Sequence, residues 1–120
     1  MYLDSEIKLE KKLVELKKNF GLSAIKAEFE AEGSSIDDIS RLRNITNRNK
    51  IKLFVKIGGA EALNDIYTCV ELGIDGIIAP MIETSFALIK FKESIINLKL
   101  KRLPYLSINI ETKSAIKNID

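Results

Sequence analysis

The sequence predicts an α/β fold built on a parallel sheet, and three observations carry that expectation. Short β-rich runs alternate with longer segments of helical period, opening on a helix and then repeating strand and helix. The strand centres fall near residues 28, 54, 77 and 108, which leaves room for a helical crossover between each pair. The run "IDGIIAP" is almost continuously apolar, as a strand is when helices cover its sheet. Repeated βα units of this kind wind right-handed.

Taken in order, Ile7, Leu13, Val14, Leu16 and Phe20 recur at helical spacing between Asp4 and Phe20, and Gly21 stands where a left-handed C-terminal cap is wanted. In "LSAIKAEFE" the period changes, with Ala27 and Phe29 alternating with Lys26, Glu28 and Glu30 in a strand whose far end is acidic. "GSSIDDISRLRNITNRNK" places Ser34 or Ser35 as the N-cap of a helix carrying Ile36, Ile39, Leu42 and Ile45. "IKLFVKIGG" is the second strand. "GAEALNDIYTCVELG" is a helix with Leu63, Ile66, Tyr67 and Val70 at helical spacing, closed by Gly73. "IDGIIAP" is the third strand, stopped by Pro80, and "ETSFALIKFKESIINLK" is a helix with Phe86, Ile89 and Ile96 among its apolar positions. "LPYLSINIE" is the fourth strand, and the following residues begin another helix.

The 120 residues suit one domain, 46% of them hydrophobic and 30% charged. Its expected organisation is a leading helix over 1–21, four strands with intervening helices over 22–111, and the start of a helix over 112–120. A formal charge of +2, from 19 basic and 17 acidic side chains, is too small to imply a nucleic-acid partner. Lys8, Lys11, Lys12, Lys17 and Lys18 interleave with Glu6, Glu10 and Glu15 as on a solvated helix surface. No apolar run approaches the ~18 residues that span a bilayer, and charges at Asp4, Glu6 and Lys8 occupy the place of a signal-peptide core, so no membrane partner is expected. Cys69 is the only cysteine, which rules out an internal disulfide and a CxxC metal pair and points to a cytoplasmic protein. There is no histidine, so any proton chemistry must use carboxylates, lysines or water.

Two architectures answer this pattern, a flavodoxin-like open sheet and part of an eight-stranded barrel, and both place chemistry at the carboxyl ends of the strands. Those ends carry Glu28, Glu30 and Glu32, then Lys56 with Gly58 and Gly59, then Met81 and Glu83, then Glu111 with Thr112. Carboxylates beside a lysine suit a divalent cation and an anionic substrate, because hard oxygen ligands bind Mg²⁺ or Mn²⁺ and an ammonium neutralises a carboxylate. The bland alternative is that charges mark where strands leave the core. No GxGxxG or GxxxxGK pattern surrounds Gly58 and Gly59, so they read as a tight turn, and Cys69 reads as core packing.

The run from "KAEFEAEG" through "KIGGAEALNDIYTCVELGIDGIIAPMIET" to "INIETKSAIKNID" resembles the aldolase/citrate lyase family over roughly residues 22 to 120. "APMIET" looks like the family's Val-Pro-Met or Val-Pro-Lys strand end, and "IETKSAIKNID" like its Ile-Glu-Thr strand end and following helix. The resemblance implies about half of a TIM barrel, with four parallel strands each followed by a helix. It implies Mg²⁺ or Mn²⁺ as cofactor, and making or breaking a carbon–carbon bond next to a 2-oxo acid or CoA thioester. By the same likeness Glu111 is the metal ligand, and Lys56, with Glu83, stands at the substrate where the family usually has an arginine. Glu28 and Glu30 match a catalytic acidic pair that precedes a histidine in the aldolases, but Ala31 follows here. The family's next ligand, an aspartate in a Gly-Pro-x-Asp-Leu segment, has no counterpart in the 120 residues. The chain is therefore expected to be inactive alone, with a homo-oligomer or a complementing chain covering its open edges. The alternatives are a non-catalytic remnant or a subunit needing a second chain, and behind them a flavodoxin-like binding module.

Overall fold

The structure, a computed structural model, describes residues 2–29 and 35–120, without the side chains of Tyr2 and Leu3. Its elements run α1 (Tyr2–Phe20), β1 (Ala24–Glu28), α2 (Ile36–Arg48), β2 (Lys52–Lys56), α3 (Leu63–Glu71), β3 (Gly76–Ala79), α4 (Ser85–Ile96), β4 (Tyr105–Ile108) and α5 (Lys113–Lys117). The four strands form one sheet in the order β1-β2-β3-β4, every pair parallel. A flavodoxin-like sheet needs a reversal in strand order, and this one has none. The fold is α/β, with the sequential βα repeats of a half barrel.

Local chemistry sets the boundaries. Gly21 and Gly73 take φ of 73° and 64° after α1 and α3, the left-handed turn that the sequence pattern anticipates. After α1, the Leu22 N–H donates to the Leu16 carbonyl at 3.3 Å and the Gly21 N–H to Lys17 at 3.1 Å, which satisfies carbonyls the helix leaves open. Ser35, rather than Ser34, caps α2: its hydroxyl accepts the Asp38 N–H, and the Asp38 carboxylate accepts the Ser35 N–H. Thr84 and Thr112 cap α4 and α5 by one bond each, their hydroxyls accepting the N–H groups of Ala87 and Ala115.

Register partners share a face of a parallel sheet, so the pairing sorts every strand residue. Ala27, Val55 and Ile77 lie in one row, with Leu53 and Ala79 on the same face. That face meets Ile39 of α2, Ile66 and Cys69 of α3, and Phe91 and Ile95 of α4 in a single buried cluster. Burial of each large aliphatic or aromatic side chain there contributes about 1.5–3 kcal/mol. Cys69 is core packing, as expected, and burial pushes its thiol up to about 12, far from a reactive thiolate. Leu13 of α1 joins Ile45 and Ile51 in a second cluster. The opposite face carries the rows Lys26–Phe54–Gly76–Tyr105 and Glu28–Lys56–Ile78–Ser107. Among the described residues, no helix is long and apolar enough to cross a membrane.

Candidate functional site

All strands being parallel, their carboxyl ends form one rim, and Glu28 and Lys56 stand on it as register partners. Lys56 Nζ lies 3.6 Å from Glu28 Oε1, and Lys26 Nζ lies 2.8 Å from the same oxygen. Lys26 and Glu28 are two residues apart in one strand, which turns both to the face away from the helices. The hydrogen bond from Lys26 holds the Glu28 carboxyl below its ordinary value; burial works the other way, and the charges of Lys26 and Lys56 add to the lowering. The Lys26 and Lys56 ammonium groups both reach the Glu28 carboxylate.

Glu111 and Glu83 belong to a different part of the rim. The Met81 N–H donates to Glu111 Oε2 at 2.8 Å, and Met81 is held at φ 52°, a conformation that costs a non-glycine residue roughly 1–3 kcal/mol. The Ile82 N–H donates to the Asn109 carbonyl at 3.3 Å, and Asn118 Nδ2 donates to the Glu83 carbonyl at 3.0 Å. These bonds fasten the loop after β3 to the loop and helix after β4. A cavity of about 600 Å³ lies beside Glu83, lined also by Thr84, Leu88, Ile110 and Asn118. Glu30 and Glu32 lie outside the described residues.

Glu111→Ala is expected to lower stability by about 1 kcal/mol and to speed hydrogen exchange at the Met81 amide, whereas Glu111→Gln, which keeps an acceptor, retains most of that protection. Native-state exchange measures this; an unchanged Met81 rate in Glu111→Ala would show that the carboxylate does not hold the turn.

The residues do not by themselves fit a Mg²⁺ or Mn²⁺ ion. Such an ion wants about six oxygen ligands, and no group of three or more His, Cys, Asp or Glu is placed to hold one among the described residues. Glu111 offers one carboxylate oxygen beyond the one that accepts Met81. Gly58 serves a turn: its N–H donates to Asp65 Oδ2 at 2.8 Å, in the first turn of α3.

Sequence reasoning missed three features. Lys26 is the nearer partner of Glu28, hidden because an exposed lysine within a strand reads as solvent-facing. Arg43 of α2 pairs with Asp75 at the amino end of β3, and its sequence signal is an arginine four residues after Ile39, on the helix face that carries it. The rings of Phe54 and Tyr105 stack across β3 with centroids 5.9 Å apart.

No family model matches the sequence, and a search of curated proteins finds no match.

Proposed function

We propose that the carboxyl rim receives a small carboxylate of the 2-oxo acid or CoA-thioester class, and that the chain serves carbon–carbon lyase chemistry of the aldolase/citrate lyase type, inactive on its own. The observation that supports the reading best is Lys56, which stands on the carboxyl rim at the end of β2 with its ammonium 3.6 Å from the Glu28 carboxylate. Lys56 is the residue to neutralise the incoming carboxylate, with Lys26 adding to the local potential. A lysine is a point charge rather than a bidentate fork, so it attracts the anion without fixing its plane. Glu28, its carboxyl held below the ordinary value, is a weak proton acceptor and serves to position the two ammonium groups. Glu111 and Glu83 belong to the proposal as rim residues; a Mg²⁺ or Mn²⁺ ion at Glu111 would need further oxygen ligands, and no step runs through one here. A cytoplasmic setting, without nucleic-acid or membrane partners, completes the reading.

A second reading, a subunit that works only with a complementary chain, is favoured by the sheet itself, since among the described residues β1 and β4 each have a neighbour on one side only.

Pyruvate titrated against the chain and followed by amide chemical shifts tests the proposal. Lys56→Met is expected to weaken binding at least about tenfold, equivalent to about 1.4 kcal/mol. Glu28→Gln is expected to tighten it, because removing the competing carboxylate releases the Lys56 ammonium. Equal affinity in the parent and Lys56→Met would sink the assignment. Lyase turnover by the unaided chain with added Mn²⁺ would sink the claim that it is inactive alone.

A further inference from the structure

Asp75–Gly76 is the one place in the sequence where an aspartate or an asparagine precedes glycine. That pairing carries a reaction of its own. The Gly76 nitrogen can attack Cγ of the Asp75 carboxylic acid; the nitrogen's proton and the acid's hydroxyl leave together as water, and a cyclic imide closes. Water then opens the imide at either carbonyl. Attack at the side-chain carbonyl restores aspartate, and attack at the main-chain carbonyl gives isoaspartate, whose backbone is one methylene longer. Nothing but water enters or leaves. A side chain on the second residue crowds the attacking nitrogen, so glycine permits the reaction best.

Packing keeps both residues in place. A Cβ at Gly76 would fall against the Phe54 ring, so the fold calls for glycine there. Asp75 Oδ2 accepts Arg43 Nη1 at 2.5 Å and the Leu53 N–H at 2.9 Å, so the fold calls for a carboxylate before it. The same contacts restrain the reaction. Burial raises the Asp75 carboxyl, but the Arg43 and Leu53 hydrogen bonds outweigh it, so the neutral acid that the nitrogen attacks is scarce. The Asp75 carbonyl accepts the Tyr105 N–H at 2.9 Å, which ties down the peptide plane carrying that nitrogen.

We propose that Asp75–Gly76 is a latent self-modification site, silent while Arg43 holds the carboxylate and open to isoaspartate formation when the amino end of β3 loosens. The added methylene displaces the carboxylate from Arg43 and shifts Gly76 relative to Phe54, so a copy that has reacted does not regain the native contacts. Local opening is thereby recorded as a one-way mark. The site lies at the amino end of β3, away from Lys56 and the carboxyl rim.

Incubation of the chain at neutral pH in water enriched in oxygen-18, followed by peptide mapping, tests the proposal. Each passage through the imide leaves a heavy oxygen at residue 75, and fragmentation by electron transfer tells isoaspartate from aspartate. In denaturant, residue 75 is expected to take up label and isomerise, and Gly76→Ala should slow both at least about tenfold. In the folded chain, uptake should be at least about tenfold slower than in denaturant, because it waits on local opening. Arg43→Met is expected to raise the folded-state rate at least about threefold, with the far-ultraviolet spectrum retained. If that variant fails to fold, Arg43→Lys, which keeps the charge and loses the fork, takes its place and should raise the rate too. Leu13→Ala loosens the second cluster without touching Asp75 and should leave the rate unchanged. Three results would each overturn the proposal: no label at residue 75 in denaturant, a folded chain that reacts as fast as the denatured one, or an arginine variant that reacts no faster than the parent. An equal rise in Leu13→Ala would do so as well, since it would place the opening in the whole molecule.

Discussion

Asp75→Ala is expected to destabilise the protein by about 3 kcal/mol, a large part of the stability of a domain this size. Asp75 stands just before β3, where its Oδ2 accepts both Arg43 Nη1 at 2.5 Å and the Leu53 N–H at 2.9 Å. Arg43 has a side chain only 7% exposed, further held by Asn47, so removal of the carboxylate leaves a buried guanidinium and a backbone N–H without their acceptor. The Asp75 side chain is 28% exposed, which keeps the expected cost at the lower end of the range for buried pairs. The reverse truncation should cost less. Arg43→Met replaces the buried member with an apolar chain and leaves a carboxylate that water can reach, so a loss of about 1–2 kcal/mol is expected. Denaturant unfolding of both variants provides the comparison, and a larger loss in Arg43→Met than in Asp75→Ala would contradict the account.

The same pair sets a pH dependence. Burial raises the Asp75 carboxyl, but the Arg43 and Leu53 hydrogen bonds and the Arg43 and Lys52 charges outweigh it and hold the group below its ordinary value. A carboxyl lowered in the folded state adds stability that is present above its unfolded value, about 3.9, and is lost as pH falls through the lower folded value. Asp75→Asn should therefore flatten the acid limb of the stability curve. Part of the limb will remain, because Arg48 and Asn49 hold Glu10 at about 2 and Lys26 holds Glu28 below its ordinary value.

What could be read in advance divides along a physical line. Periodicity and caps are local, so the helices, the strands and the turns at Gly21 and Gly73 were legible from neighbours along the chain. The rim was legible too, because parallel strands put their carboxyl ends together whatever their register. Which rim residues meet was not legible. That Lys56 lies beside Glu28, while Glu111 bonds to the Met81 N–H, depends on register and on loop paths that no window of sequence contains. Arg43 was missed for a related reason: an arginine is ordinary on a helix surface, and only the placement of Asp75 beneath α2 makes it a buried one. Glycine was read as punctuation at Gly21 and Gly73, yet its use inside β3 is of another kind, and the second large effect comes from there.

Gly76→Val is expected to cost about 2–3 kcal/mol, although valine is the better strand former. Phe54, Gly76 and Tyr105 occupy one row on the face away from the helices, on β2, β3 and β4. Strands lie about 4.8 Å apart, so side chains on β2 and β4 can stack only across a position on β3 that has no side chain. Gly76 supplies that position. The Phe54 ring lies over it, and an added Cβ would fall against Cδ2 and Cε2 of the ring, with Cζ at 2.8 Å. The ring continues to Tyr105, stacked at 5.9 Å with planes inclined by 16°, and Lys52 Nζ lies 4.8 Å from the centre of the tyrosine ring. A side chain at Gly76 must expel Phe54, which forfeits about 0.5–1.5 kcal/mol of ring pairing and adds the strain of overpacking. Because this face is open, the ring can swing partly aside, so Gly76→Ala should cost only about 1 kcal/mol. The decisive measurement is a double-mutant cycle with Phe54→Ala. If the glycine exists to admit the ring, Gly76→Val should cost far less once Phe54 is alanine, a coupling of at least about 1 kcal/mol. There is no tryptophan, so the near-ultraviolet tyrosine signal can follow the loss of the Tyr105 stack directly. Additive losses in the cycle would show that Gly76 and Phe54 are neighbours without being partners.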